Sequence, residues 1–270
     1  MTAKRAITKI TFLAVAFAVA GCGGNGSESE PAVDEAAMEV ATDPAPGLRE
    51  LLAGGSRAES DRERDAGRRP ADVLEFLGIG TGMRVIDVIA AGGWYTEVLS
   101  IAVGPEGRVV AHNTPGILQF RDGRYEKGIS DRLADDRLPN VTRLNKDFAD
   151  LTADDGPFDA AITALNFHDV YNRNGPEAAV GMLQAVASVL RPGGVFGIID
   201  HVGEASADNV TLHRIEISKV LESIEAAGLE VETDSDLLRN EADDHSVGIF
   251  DETVRGKTDR FILKVRKPGA

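Results

Sequence analysis

The chain has 270 residues, 43% of them hydrophobic, and a formal net charge of −15. That length suits one α/β domain with a full core plus some unfolded sequence. So acidic a balance argues against electrostatic binding to nucleic acid or to anionic lipid headgroups, and a single cysteine, Cys22, excludes an internal disulfide framework.

In chain order, the first feature is a leader. Basic residues Lys4, Arg5 and Lys9 precede the apolar run Ile10 to Val19, which ends in Ala20-Gly21-Cys22. A basic start, a short apolar core and small residues before the cleavage point describe a signal peptide over residues 1–21. The run is too short to span a bilayer easily. Val19-Ala20-Gly21-Cys22 looks like a bacterial lipobox, so Cys22 is expected to carry lipid and to hold the chain in the cell envelope, facing the periplasm or exterior. The plainer alternative is a signal peptide with a chance cysteine. Losing the three basic residues leaves about −18, so an acyl chain rather than a basic patch must supply the membrane attachment. Residues 22–47 are rich in Gly, Ser, Glu, Pro and Ala and read as a flexible tether, which leaves 48–270 as the folded domain.

Within that domain, Ala71 to Leu77 has apolar residues at helical spacing and predicts a helix before the turn Gly78 to Met83. Arg84 to Val88 predicts the first strand, Tyr95 to Val103 a helix, and Arg108 to His112 the second strand. Gln119 to Arg137 is polar and partly helical in pattern; Val141 to Asn145 and Phe158 to Leu165 predict strands three and four. A helix over Glu177 to Leu190 stops at Arg191-Pro-Gly-Gly194, and Gly194 to Ile199 is strand five. Leu212 to Ala227 predicts one more helix, opened by His213-Arg214 and closed by Gly228. Leu229 to Thr233 and Asp259 to Val265 are the last strands. Strands alternating with helices predict a parallel α/β sheet.

The most telling stretch is Arg84-Val-Ile-Asp-Val-Ile-Ala-Ala-Gly-Gly-Trp-Tyr-Thr-Glu-Val-Leu99, a strand, a small-residue turn and a helix start. Such a turn lets a ligand approach backbone N–H groups and a helix N-terminus. The segment resembles motif I of the class I S-adenosylmethionine-dependent methyltransferases, Asp-x-Gly-x-Gly-x-Gly. Asp87 and Gly93 align with it, while Ile89 and Ala91 stand where the first two glycines usually are. It is similar to a group of predicted bacterial methyltransferases with a Gly-Gly-Trp-Tyr-Thr motif, over roughly Arg57 to Pro268. The turn Leu190-Arg-Pro-Gly-Gly-Val195 adds to the resemblance.

The resemblance implies a Rossmann-like sheet of seven mostly parallel strands with helices on both faces and an antiparallel last strand. It implies S-adenosylmethionine as cofactor. Asp87 would hold the cofactor's amino-acid end, or serve only as a turn residue. Ala91, Gly92 and Gly93 would lie against the cofactor, and Trp94 and Tyr95 would line the pocket or pack. The residue after strand two usually takes both ribose hydroxyls through a carboxylate; here it is Asn113, which offers one acceptor and one donor group. Asp147 and Phe148 match the adenine position, Asp147 otherwise being an ordinary loop acid. Asn166 joins the cofactor-contact set. His168, Asp169 and His201 are the candidate catalytic residues, with Asp200 on the same rim; otherwise they are loop residues bonded to backbone.

A histidine near neutral pKa can take a proton during methyl transfer. His168, Asp169, His201 and His213 suit Zn²⁺ or Fe²⁺ chemically, but no HxH or HExxH spacing is present, and no metal ligands are assigned. Arg239 to His245 and Arg255 to Lys257 form a substrate loop or an exposed connection. The leading function is an exported, lipid-anchored methyltransferase with a small-molecule acceptor and no nucleic-acid partner. The alternatives are a binding or sensor lipoprotein on the same fold, and a His-dependent enzyme with metal assistance. Gly93→Leu is expected to block cofactor binding with the fold largely intact, and His168→Ala to spare binding and lower turnover.

Overall fold

Seven strands form one sheet in the order β3-β2-β1-β4-β5-β7-β6. The computed structural model describes residues 47–269; the leader, Cys22 and the tether up to residue 46 lie outside them. Four short helices come first, α1 (Leu48–Ala53), α2 (Glu59–Arg62), α3 (Asp65–Arg68) and α4 (Pro70–Leu77). Then follow β1 (Arg84–Val88), α5 (Trp94–Val103), β2 (Arg108–Asn113), α6 (Pro115–Leu133), β3 (Val141–Asn145) and β4 (Phe158–Ala164). The chain ends with α7 (Phe167–Asn174), α8 (Pro176–Val189), β5 (Leu190–His201), α9 (Asn209–Leu212), α10 (Ile217–Ala226), β6 (Glu230–Ser235) and β7 (Arg260–Arg266). Among the described residues no helix is long and apolar enough to cross a membrane.

Strands β1 to β5 pair in parallel, and β7 inserts antiparallel between β5 and β6. The expected mostly parallel, seven-stranded sheet is therefore present. Central parallel strands are covered on both faces, and alternate residues supply the two cores. Ile86, Val88, Ala161, Phe196 and Ile198 face α8 and α10. Val85, Ala160, Ile162, Val195 and Ile199 face α1, α4 and α5. Helix α8 starts with Pro176 at its first position and buries Ala179, Met182, Leu183, Val186 and Val189, a 3.6-residue stripe.

Four segments differ from the sequence expectation. Leu190 belongs to β5 and not to α8, because it pairs with Phe158 before the Pro-Gly-Gly turn; after a register shift Val195 pairs with Ala160. Helix α6 begins earlier than expected and is interrupted at Phe120–Gly123, where Arg121, Asp122 and Gly123 are left-handed. The single helix expected over Leu212 to Ala227 is two helices: His213 is left-handed (φ 54°) and caps α9, and Arg214 turns into the interior before α10 starts. Finally, Asn166 to Asp169, expected as a loop, enters α7, with Asn166 in the N-cap position.

The long connection between β6 and β7 is pinned down. Arg214 and Asp243, both with fully buried side chains, form a two-pronged pair at 2.9 and 3.0 Å. Arg214 also donates to the carbonyls of Val202 and Val247, and Arg239 pairs with Asp259 at 2.8 Å.

Candidate active site at the strand switch point

The sheet runs outward from β1 through β2 to β3, then returns to β4 beside β1. The crevice beyond the C-terminal ends of β1 and β4 is the switch point where open α/β sheets bind ligands. Both strands end on a left-handed residue that is not glycine, Ile89 (φ 57°) after β1 and Leu165 (φ 64°) after β4. Ala91 (φ 50°) and Gly93 (φ 80°) continue the pattern. A branched side chain in this region is strained, and strain persists only where the surroundings enforce it.

The enforcing contacts are visible. The Ala91 N–H donates to Asn113 Oδ1 at 2.8 Å, and Asn113 Nδ2 donates back to the Ala91 carbonyl at 3.3 Å. Asn166 Nδ2 donates to the Ile89 carbonyl at 3.1 Å, and Arg132 Nε to the Gly92 carbonyl at 2.9 Å. Arg132 also pairs with Asp61 at 2.7 Å and with Glu97, whose buried carboxylate Arg137 shares. Thus the backbone shape usually made by glycines is kept by clamps from β2, α6 and the β4–α7 junction. The side-chain amide of Asn113 bonds to this loop, which gives it a positioning role beside the ribose contact the sequence suggested.

Gly93 also corrects an expectation. A Cβ there would lie 2.5 Å from Ile129 Cδ1 and 3.0 Å from Arg132 Cδ, on a left-handed backbone. Gly93→Leu would therefore disturb the loop and α6 rather than leave the fold intact. At Gly92 the nearest atom to an added Cβ is 3.9 Å away, an ordinary contact.

Asp87 is buried in β1 and accepts from Thr96 Oγ1 at 2.6 Å. Burial raises its pKa to about 6, against the lowering pull of Thr96 and of the charges on Arg68 and Arg132. Tyr95, Arg68, Arg260 and Leu165 line a small cavity. Arg68 lies 4.5 Å over the Trp94 ring and 6.0 Å from that of Tyr95. Among the described residues its guanidinium has no hydrogen-bond or ion-pair partner, and burial lowers its pKa to about 10. Trp94 itself is packed, donating from Nε1 to the Asp61 carbonyl at 3.0 Å. Sequence reasoning missed Arg68, because an arginine in a charged helical stretch carries no spacing signal.

At the β3 end Asp147 is exposed and Phe148 half-buried, its ring 5.2 Å from that of His112. His112 is fully buried; its Nε2 donates to the Lys146 carbonyl at 3.0 Å and its Nδ1 has no partner. Burial pushes its pKa down to about 4.

On the other side of the crevice, β4–α7 and β5 bring together His168, Asp169 and Asp200. The Asp200 carboxylate is fully buried; it accepts from His168 Nδ1 and from the His168 backbone N–H, both at 2.7 Å, and from the His201 N–H at 2.8 Å. His168 therefore carries its proton on Nδ1 and turns the Nε2 electron pair toward Asp169, 3.7 Å away. Burial opposes charge on His168, but the Asp200 charge and hydrogen bond, with Asp169, raise its pKa above the ordinary value. His213 follows, its Nδ1 3.4 Å from Asp169 and its ring 5.8 Å from that of His168.

His201 stays beside this group: its ring lies 5.6 Å from that of His168, while its Nδ1 bonds to Thr258 Oγ1 at 2.7 Å. Burial, then the charge on Arg260, hold its pKa well below the ordinary range. A larger cavity, about 460 Å³, lies among α1, α3 and α4 and holds none of these residues.

No family model matches the chain. It is 32% identical over 110 residues to ribosomal RNA large subunit methyltransferase E of Myxococcus xanthus, covering 41% of this chain and 47% of that protein. It is 32% identical over 129 residues to the ubiquinone/menaquinone biosynthesis C-methyltransferase UbiE of Pseudomonas paraeruginosa, covering 47% of this chain and 45% of that one. The chain thus spans about half the length of these curated relatives. Among solved structures it is similar to a SAM-dependent methyltransferase from Aquifex aeolicus, with a TM-score of 0.52 and 23% identity over 73% of this chain and 89% of that one. The fold is the Rossmann-like fold of the class I methyltransferases, and the relatives are methyltransferases.

Proposed function

We propose that the chain is an S-adenosylmethionine-dependent methyltransferase with a small-molecule acceptor, exported and held in the cell envelope by lipid on Cys22. The observation that carries the enzymatic part is the left-handed loop Ile89–Gly93 beside buried Asp87 at the switch point, in a fold shared with methyltransferases.

The residues present fit the cofactor at two of its three parts. For the zwitterionic amino-acid end, unpaired Arg68 suits a carboxylate and Asp87 an ammonium group. For an adenine, Asp147 offers an exposed acceptor and Phe148 an apolar face, with His112 Nδ1 as a further unpartnered acceptor. The ribose part departs from the usual pattern, since Asn113 holds Ala91. When bound, S-adenosylmethionine supplies an electrophilic methyl group. The chain's own contribution is in-line placement, and the acceptor side belongs to His168, whose Nε2 electron pair Asp200 orients. Exposed Phe250, 5.1 Å from the His213 ring, supports an acceptor with an apolar portion.

One relative's name concerns ribosomal RNA. A net charge of −15 favours the small-molecule class, because RNA binding depends on neutralising phosphates with basic side chains. The commitment of Asn113 favours one second reading, a binding or sensor protein that captures the ligand without turnover.

The test is calorimetric titration of the full chain in detergent with S-adenosylmethionine and S-adenosylhomocysteine. Micromolar binding, weakened about tenfold in Asp147→Ala, is expected. No binding at millimolar ligand rejects the enzyme and its sensor variant together. Binding without methyl loss across an acceptor screen selects the sensor. For the anchor, labelled palmitate should enter the wild-type chain and not Cys22→Ser; equal labelling of neither rejects it.

A further inference from the structure

Among the described residues, one group of three side chains could hold a metal ion, His168, Asp169 and His213. The three are close only in the fold. His168 and Asp169 open α7, while His213 closes α9 more than forty residues later. Asp169 spans both rings, with Oδ2 3.7 Å from His168 Nε2 and Oδ1 3.4 Å from His213 Nδ1. All three donor atoms lie within 4.8 Å of one another. A tetrahedral zinc ion with bonds of about 2.0–2.1 Å sets its ligand atoms about 3.4 Å apart. The cluster is thus close to closing around an ion with a small inward shift.

Two further observations point the same way. Asp200 accepts a hydrogen bond from the Nδ1–H of His168 inside the core, which leaves the electron pair on Nε2. A buried carboxylate behind a histidine is the arrangement that fixes the tautomer and orientation of a metal-ligating imidazole. His213 is held left-handed between α9 and buried Arg214, and this presents its ring to Asp169. The competing cation is Arg173, 3.2 Å from Asp169 Oδ1; it is 53% exposed, so it can leave without opening the core.

We propose that His168 Nε2, Asp169 and His213 Nδ1 form a binding site for a divalent transition metal, with Asp200 as the residue that orients His168. Two imidazoles and one carboxylate suit Zn²⁺ or Fe²⁺ and leave coordination positions open toward the crevice. The site stands on its own geometry. Its use rests on the methyl-transfer reading and deepens it: His168 would serve as a ligand, and the ion, when bound, would hold an oxygen-bearing acceptor and lower the pKa of its hydroxyl.

The test is titration of the EDTA-stripped full chain in detergent with Zn²⁺ by calorimetry and with Co²⁺ by visible absorption. One ion per chain at micromolar affinity or tighter is expected, with a tetrahedral cobalt spectrum. Asp169→Asn and His213→Asn should each weaken binding at least a hundredfold; asparagine tolerates the left-handed backbone at 213. Asp200→Asn should weaken it about ten- to a hundredfold. Circular dichroism of the metal-free variants checks that they fold. Absence of saturable binding below millimolar metal, or equal affinity in both ligand variants, overturns the proposal. S-adenosylhomocysteine titrated into the same stripped protein separates the two readings, since cofactor binding without metal binding removes the metal site alone.

Discussion

At the scale of single residues, the buried charges are the sensitive points. Arg214 and Asp243 are fully buried and satisfy each other, and Asp243 also accepts from the Asp259 N–H at 2.7 Å. Removing one partner strands a charge in the core, so Arg214→Ala or Asp243→Ala should each lower the unfolding free energy by about 3–5 kcal/mol in denaturant melts. Losses below about 1 kcal/mol would mean that water reaches the pair. Asp87 gives a prediction with a definite sign. Its folded pKa is raised by burial to about 6, so its protonated form stabilises the fold fully below the unfolded value of about 4 and that contribution is lost as pH rises through 6. His112 works oppositely, since its pKa is lowered by burial to about 4 and its contribution grows over nearly the same range. His201, also held well below the ordinary range by burial, acts in the same direction as His112, so the wild-type profile does not isolate Asp87. Asp87→Asn removes one side of that balance, and its stability relative to wild type should rise by about 3 kcal/mol between pH 4 and pH 7. A constant difference across that range would contradict the raised pKa.

At the scale of elements, the loop after β1 and the contact of α4 with β5 decide how the crevice is shaped. A left-handed alanine is worse than glycine by about 1–2 kcal/mol, while glycine's extra unfolded-state entropy returns about 0.5–1 kcal/mol. Ala91→Gly should thus be neutral to about 1 kcal/mol stabilising, and Asn113→Ala should destabilise by about 1–3 kcal/mol because both backbone groups of Ala91 lose their partner. A clear loss on Ala91→Gly would show that the loop is not strained. Helix α4 rests on Gly197 of β5, where a Cβ would come within 2.4 Å of Leu77 Cδ1. Gly197→Ala should cost about 1–3 kcal/mol through overpacking, and Leu77→Ala in the same chain should cost less than the sum of the two single changes. Additivity in that double-mutant cycle would place the helix elsewhere.

At the scale of the whole molecule, acidity and architecture point to different relatives. The net charge of −15 predicts no retardation of ribosomal RNA fragments in gel shifts at about 0.1 M salt, whatever one relative's name says of that protein. Binding that weakens steeply with salt would overturn the small-molecule reading and redirect the search for an acceptor. Much of this molecule was legible in the sequence. The apolar runs Arg84–Val88 and Phe158–Leu165 predicted strands, and the helical apolar pattern from Glu177 predicted α8. What local pattern could not show was the break at His213 and the helical start at Phe167. Both depend on where Arg214 and Asp200 find partners, 29 and 32 residues away along the chain.

The same division holds for the site. Sequence by itself determined the order of strands and helices, the nucleotide-type turn at Asp87 to Gly93, and the presence of His168, Asp169, Asp200 and His201 at strand ends, because period, turn chemistry and charge are local properties of a chain. Only the tertiary structure decided which of them meet. Asp200 bonds to His168, and His201 packs its ring 5.6 Å from that of His168 while bonding to Thr258. The return of the chain after β5 brings His213 to Asp169, and α3 places Arg68 over the Trp94 ring at the start of α5. Those pairings rest on distances between segments far apart in the sequence, which no spacing along the chain encodes.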